Sequence, residues 1–323
     1  MPKRKRAQDV AEGAALSLLI GCAAAAAAEL GRRLFRHTQI FCPWRDPVKS
    51  WNWVDYGIPQ DAVDEVWFET PDGEELYGWY CRAENPVASG VFCHGNTANL
   101  TYSAEVIPHL LAAGFNVLWF DYRGFGRSTG VPTIAGVIAD GITAARFHDK
   151  IRPKHLPSVL YGYSLGGAVA AQVITKHPFD ALILQSTFTS LPDIARVVWP
   201  KFPLHLFAGR EFNTIDVVRK LEVPLLVLHG TNDEAVPCAM AHELFNDCPN
   251  PLRRLHCVDG GLHKDLYERD PETLIWEISQ FIASLPEPGR TTSVEQSAPV
   301  EEWSDVLLRA IRRAIRRRTP QHA

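Results

Sequence analysis

The sequence predicts an α/β fold, a mostly parallel sheet of about eight strands with helices on both faces. Three observations carry that prediction. Six apolar runs recur along the chain without polar alternation, as strands buried on both faces of a parallel sheet require. Helical patterns separate most of these runs. Ahead of them, two further runs flank Pro71-Asp72-Gly73, a turn sequence that joins antiparallel strands.

Taken in order, residues 63–68 and 76–80 form the opening hairpin. The apolar runs follow at 87–93, 116–120, 158–161, 182–184, 225–228 and 255–258. Helices fall at 100–113, 134–149, 165–177, 239–247 and 273–284. Between 185 and 222 the periodicity breaks down, and Phe188, Trp199, Phe202, Leu204 and Phe207 crowd into the segment. Its place in the chain and its apolar character predict a short cap, because small-molecule sites are concave and apolar, the alternative being aromatics that pack only on the sheet edge.

The most informative local feature is Gly162-Tyr163-Ser164-Leu165-Gly166-Gly167. It joins a strand to a helix of small residues, so Ser164 sits on a sharp turn at the end of the sheet. The helix start behind it offers free N–H groups and the positive end of a dipole, both suited to a developing oxyanion. By itself Gly-x-Ser-x-Gly also marks ordinary strand-to-helix turns. The strand at 225–228, however, ends in His229-Gly230-Thr231-Asn232-Asp233, and the strand at 255–258 ends in Asp259-Gly260-Gly261-Leu262-His263. Ser, Asp and His thus follow strand ends in the order in which one fold assembles a nucleophile, an acid and a base. The strand at 87–93 leads into His94-Gly95-Asn96, a turn able to bring a second N–H to the serine.

With Phe120-Asp121-Tyr122-Arg123-Gly124-Phe125-Gly126-Arg127-Ser128 and Val236-Pro237 added, the chain resembles the α/β-hydrolase superfamily over residues 37–286, in particular its membrane-tethered single-domain esterase, lipase and thioesterase-like members. The resemblance implies an α/β-hydrolase fold, with Ser164 as nucleophile, Asp233 as acid and His263 as base. It also implies oxyanion N–H groups at Leu165 and Asn96, with Thr97 the alternative to Asn96. Serine chemistry of this kind requires no metal and no cofactor. A dehalogenase or epoxide hydrolase would carry Asp where Ser164 stands. The remaining readings are a serine peptidase or amidase, and a membrane-tethered scaffold without catalysis.

Other residues take simpler roles. His94 shapes the oxyanion loop, Asp121 and Arg123 brace a turn, and His229 hydrogen-bonds backbone near Asp233. Asp259 and Asp265 are rival acids, too close to His263 in sequence to support its ring from behind. Of seven cysteines, Cys81, Cys93 and Cys257 fall in strands as small apolar residues, Cys238 and Cys248 flank a helix too far apart to bridge, and no metal pattern or close pair is evident.

A chain of 323 residues, 46% of them hydrophobic, can bury one large core. Its charge is uneven. Residues 1–6 and 301–323 hold 10 Lys/Arg and 3 Asp/Glu, leaving 23 basic and 34 acidic residues between them. The ends therefore carry +7 and the middle −11, which points to contact with an anionic membrane surface. A body without a basic, aromatic-interleaved patch disfavours nucleic acid. Lys3-Arg4-Lys5-Arg6 precede an uncharged run over 13–28, so residues 1–36 predict a signal anchor. Leu19-Ile20-Gly21-Cys22 offers a lipoprotein alternative through Cys22, and a surface Ala-rich helix is the third reading. Residues 287–300 read as a linker. Residues 301–323 read as a basic amphipathic helix with Trp303, Leu307, Ile311 and Ile315 on its apolar stripe.

Overall fold

The computed structural model describes residues 40–286, except 199, 202–204 and 206–208. The anchor, linker and C-terminal helix expected at 1–36, 287–300 and 301–323 lie outside the described residues. So do Trp199, Phe202, Leu204 and Phe207 of the expected cap.

Eight strands form one sheet: β1 (Val63–Glu69), β2 (Glu75–Cys81), β3 (Ala88–Cys93), β4 (Phe115–Phe120), β5 (Ser158–Tyr163), β6 (Ala181–Gln185), β7 (Leu225–Gly230) and β8 (Arg253–Val258). Their spatial order is 8-7-6-5-3-4-2-1. β1 and β2 pair antiparallel, as do β2 and β4, and every other pairing is parallel. The hairpin turns where predicted, with Gly73 at φ 88° and its N–H on the Thr70 carbonyl. Arg123 braces this corner, reaching Asp72 in the turn and Asp140 in the long helix after β4.

Among the described residues the α-helices that follow the hairpin are α1 (Ile107–Ala112), α2 (Ile134–Ile151), α3 (Leu165–Ile174), α4 (Leu191–Val198), α5 (Thr214–Val218), α6 (Cys238–Asp247), α7 (Leu266–Arg269) and α8 (Pro271–Ala283). The helix expected over 100–113 is split. Residues Leu100–Val106 make 3₁₀ turns with a non-helical Ser103, and α1 begins afresh with Pro108 in its first turn. Proline lacks the N–H an uninterrupted helix would need there, and it fits only a helix start. In the region of broken periodicity, α4 and α5 are the described helices.

The central strands β3 to β7 are buried along their whole length, as their unbroken apolar character predicts. Phe92 stacks on Trp119 at 3.6 Å and on Tyr161 at 4.8 Å between ring centroids, tying β3, β4 and β5 together. The buried Trp119 indole N–H donates to the Leu100 carbonyl at 3.0 Å, so this ring buries no orphan donor. β8 departs from the expectation of burial on both faces. It is the edge strand, and Arg253 to Cys257 are half-buried.

The strand order places the reversal of winding between β3 and β5. After β3 the chain moves out to β4, then returns to the other side of β3 with β5. In open α/β sheets the crevice at such a point, beyond the C-terminal strand ends, is where ligands sit.

Candidate active site

Ser164 leaves β5 and opens α3 with φ 53° and ψ −121°, a conformation that side-chain-bearing residues seldom adopt. Such backbone costs on the order of 1–3 kcal/mol and persists only when its surroundings hold it. They do so here. The Ser164 N–H donates to Gln185 O at 2.9 Å, and its carbonyl accepts from Thr187 Oγ1 at 2.7 Å and Gly167 N at 2.9 Å. The flanking glycines are required by close approach. A Cβ on Gly166 would lie 1.9 Å from the Cys93 carbonyl oxygen, and one on Gly162 would lie 2.5 Å from Gly166 O.

His263, 8% exposed, reaches Ser164 from the loop after β8. Its Nε2 lies 3.0 Å from Ser164 Oγ and its Nδ1 lies 2.8 Å from Asp233 Oδ2. Tyr163 packs against the ring at 5.5 Å, and its hydroxyl donates to the His263 carbonyl at 3.3 Å. Asp233, from the loop after β7, exposes no side-chain surface. Its Oδ1 accepts from the N–H groups of Ala235 and Val236 at 2.9 and 2.8 Å, and its Oδ2 also meets His229 Nε2 at 3.1 Å. Burial raises the pKa of this carboxyl. Hydrogen bonds from His229, His263 and Val236 outweigh it and hold the group well below the usual carboxylate range. A permanently ionised acid behind the imidazole fixes the Nδ1–H tautomer and leaves Nε2 free to accept the serine proton.

Leu165 is the first residue of α3, where a backbone N–H has no intrahelical partner. The His94-Gly95-Asn96 loop lies beside it, since a Cβ on Gly95 would sit 3.6 Å from Ser164 Cβ. Thr97 Oγ1 donates to Asn96 Oδ1 at 3.1 Å, so the two candidate donors share one turn. His94 is buried beneath, its Nδ1–H on Gly95 O at 2.7 Å, and desolvation lowers its pKa to about 4. It is thus a neutral brace for the loop. Asp259 is exposed, and Asp265 caps Leu262 N at 2.7 Å and pairs with Arg269. Neither rival acid takes the place behind His263.

The serine, acid and base thus stand together at the C-terminal edge of the sheet, next to the winding reversal. The family model described as Serine aminopeptidase, S33 matches residues 84–217 and 212–270, more than half of the chain and all three side chains. The chain belongs to that family. It is 31% identical over 248 residues to the uncharacterized protein YfhR of Escherichia coli K12, covering 72% of this chain and 85% of that one. It is 32% identical over 260 residues to the uncharacterized protein Rv2307c of Mycobacterium tuberculosis, covering 78% and 88%. Among solved structures it is similar to the esterase Pf2001 of Pyrococcus furiosus, with a TM-score of 0.64, 21% identity, and coverage of 76% of this chain and 98% of that one. That likeness shows the α/β-hydrolase fold.

His229 meets the Val236 carbonyl at 2.9 Å, the backbone bond expected of it, but sequence reasoning missed three contacts: the Tyr163 clamp on His263, the further reach of His229 to the Asp233 carboxylate, and the Glu234 carboxylate accepting the His263 N–H at 3.4 Å. It also found no close cysteine pair, and the structure corrects this. Cys238 and Cys257 lie with sulfurs 3.6 Å apart, and His242 joins them. Folding alone brings α6 and the edge strand together, and no local spacing announces it. A separate cleft of about 550 Å³, lined by Gln172, Phe179, Asn213 and Lys220, adjoins the C-terminal end of α3 and includes none of the three active-site side chains.

Proposed function

We propose that the chain is a serine hydrolase that cleaves a carboxylic ester, a thioester or a lipid acyl bond through an acyl-enzyme on Ser164. The approach of His263 Nε2 to Ser164 Oγ at 3.0 Å, with Asp233 behind the ring, carries this reading. In the first half-reaction His263 takes the serine proton as Oγ attacks the acyl carbonyl carbon. The carbonyl pair moves onto oxygen, where the N–H groups of Leu165 and Asn96 receive the charge, each worth about 3 kcal/mol of barrier. The imidazolium then returns its proton to the departing alkoxide or thiolate, leaving the acyl group on Ser164. Water attacks the acyl-enzyme with His263 as base, and the carboxylic acid leaves as the serine hydroxyl is restored. These bond changes balance without a cofactor.

A second reading, hydrolysis of an amide or peptide bond, has the description of the family behind it. Fluorophosphonate labelling of the full chain, followed by turnover of nitrophenyl esters of graded acyl length and of aminoacyl nitroanilides, tests both. The expected result is labelling at Ser164 and faster ester than anilide turnover. Labelling that survives Ser164→Ala overturns the nucleophile, and faster anilide turnover selects the second reading. No labelling and no turnover would leave the non-catalytic scaffold.

Placement at a membrane is part of the same proposal. It rests on the basic, apolar 1–36 segment and the arginine-rich 301–323 segment. Among the described residues no helix is long and apolar enough to cross a membrane.

A further inference from the structure

We propose that Cys238, His242 and Cys257 form a binding site for a thiophilic divalent cation, with zinc the natural occupant, behind the loops that carry Asp233 and His263. The donor set is two thiols and an imidazole, the ligands that zinc takes in its tetrahedral sites. One candidate ligand atom from each residue lies within 4.8 Å of the others. Around zinc with bonds of about 2.3 Å to sulfur and about 2.0 Å to nitrogen, a tetrahedron has sulfur–sulfur edges of about 3.8 Å and sulfur–nitrogen edges of about 3.5 Å. The observed separations are 3.6 Å between the two sulfurs and 3.9 Å between Cys257 Sγ and His242 Nε2. Small side-chain adjustments therefore suffice to close the set on one ion.

These atoms stand on one helix and one strand. Cys238 and His242 are one helical turn apart on α6, an i, i+4 pair that shares a face. Cys257 sits on β8, whose register pairs it with His229 of β7. His242 is exposed and both cysteines are partly exposed, so an ion can enter from solvent and a water can complete the coordination. Without an ion the cluster is two thiols held together beside an imidazole. Binding releases the thiol protons, because coordination deprotonates a thiol outright.

The site's position gives it a consequence. The acid loop runs from Asp233 through Pro237 directly into Cys238, and Cys257 stands six residues before His263. The carbonyl of Val258, next to Cys257, already receives the N–H groups of Thr231 and Gly261, one from each loop. An ion held by both cysteines cross-links the two segments that support the acid and the base. Binding to the folded state alone then stabilises it by mass action.

The test uses the untagged full chain, reduced and stripped of metal. Titration with Co²⁺ reports thiolate coordination by its charge-transfer absorption, and Zn²⁺ affinity is read by competition with a chromophoric chelator. The expected result is one ion per chain, a tetrahedral thiolate–cobalt spectrum, and a thermal midpoint that rises with free Zn²⁺. Cys238→Ser and Cys257→Ser remove the charge-transfer band, and His242→Gln weakens Zn²⁺ binding at least about tenfold. Cys42→Ser and Cys248→Ser leave both unchanged. His242 is exposed, so its variant keeps the test decisive even where a cysteine variant folds poorly. Three results overturn the proposal: no thiolate–cobalt band, binding that is undiminished in His242→Gln, or a Cys238–Cys257 disulfide in chain whose reduced form takes up no metal.

Discussion

His229 Nε2 lies 3.1 Å from Asp233 Oδ2, the same oxygen that meets His263 Nδ1 at 2.8 Å. Two imidazoles thus hold one carboxylate oxygen. Only one of them faces Ser164. The other is wholly buried on β7, donates through Nε2 to the Val236 carbonyl as well, and leaves its Nδ1 without a partner among the described residues. His229 therefore carries its proton on Nε2 and ties the acid to its own strand.

Removing that tie should slow turnover without touching substrate. A buried hydrogen bond to a charged group contributes about 1.5–3 kcal/mol. His229→Ala should accordingly lower kcat/KM by about 10- to 100-fold. His229→Gln keeps a donor and should recover part of the loss. Steady-state kinetics with one nitrophenyl ester check this. Equal losses in both variants, tracking equal losses of thermal stability, would reduce His229 to a packing role.

The choice of acid is tested by asparagine at each rival. Asp233→Asn removes the charge behind His263 and favours the wrong tautomer, so kcat should fall by about 10⁴ with the fold intact. Asp259→Asn should remain close to wild type, because that carboxylate is exposed. Asp265→Asn should lose less than tenfold, since the new amide oxygen still accepts the Leu262 N–H. An inactive Asp259→Asn beside an active Asp233→Asn would reverse the assignment.

What was legible in the chain was local. Strands at 225–228 and 255–258 are read from unbroken apolar runs, and the loops that follow them deliver Asp233 and His263 to Ser164 because parallel strands end on one side of a sheet. The Ser164 turn is legible because its glycines are demanded by close backbone contacts on every side. Features set by tertiary packing were not legible. Cys238 and Cys257 meet across a helix–strand contact, and Tyr163 reaches the carbonyl of a residue 100 positions away. The helix expected over 100–113 failed on Pro108, a signal that was present in the sequence but was outweighed by the apolar pattern around it. The half-burial of β8 follows from its edge position, which composition does not encode.

The basic, apolar N-terminal segment should act as a tether and not as part of the fold. Among the described residues the sheet begins at Val63 and the core cluster runs from Tyr56 to Ile282. A chain beginning at His37 should therefore be soluble and keep its kcat/KM on a short nitrophenyl ester. The full chain should sediment with membranes and resist salt and carbonate extraction. Full-length protein in the soluble fraction would exclude an integral anchor, and fatty acid incorporated at Cys22 would select the lipoprotein alternative.

Beneath the oxyanion loop, Asp121 makes stability depend on pH in a direction opposite to that of a paired surface carboxylate. It is wholly buried. Its Oδ1 accepts the Leu100 N–H at 2.6 Å and lies 3.6 Å from His94 Nε2, and Oδ2 has no partner among the described residues. Desolvation raises its pKa to about 8, against smaller pulls from the Leu100 and Arg127 N–H groups and the charges of Arg127 and Arg45. A carboxyl whose folded pKa is raised binds more protons folded than unfolded. Stability from this group therefore falls as pH rises from about 4 to about 8 and levels off above that. His94 acts the other way, since its lowered pKa destabilises the fold only below about 6.5. That contribution is common to wild type and Asp121→Asn, so it cancels from their difference. The variant keeps an oxygen for the Leu100 N–H and carries no charge at any pH. In urea unfolding it should become more stable relative to wild type at pH 8 than at pH 5. A difference that is constant, or that shrinks toward pH 8, would mean that Asp121 is ionised in the folded protein and that its negative charge is part of how the oxyanion loop is held.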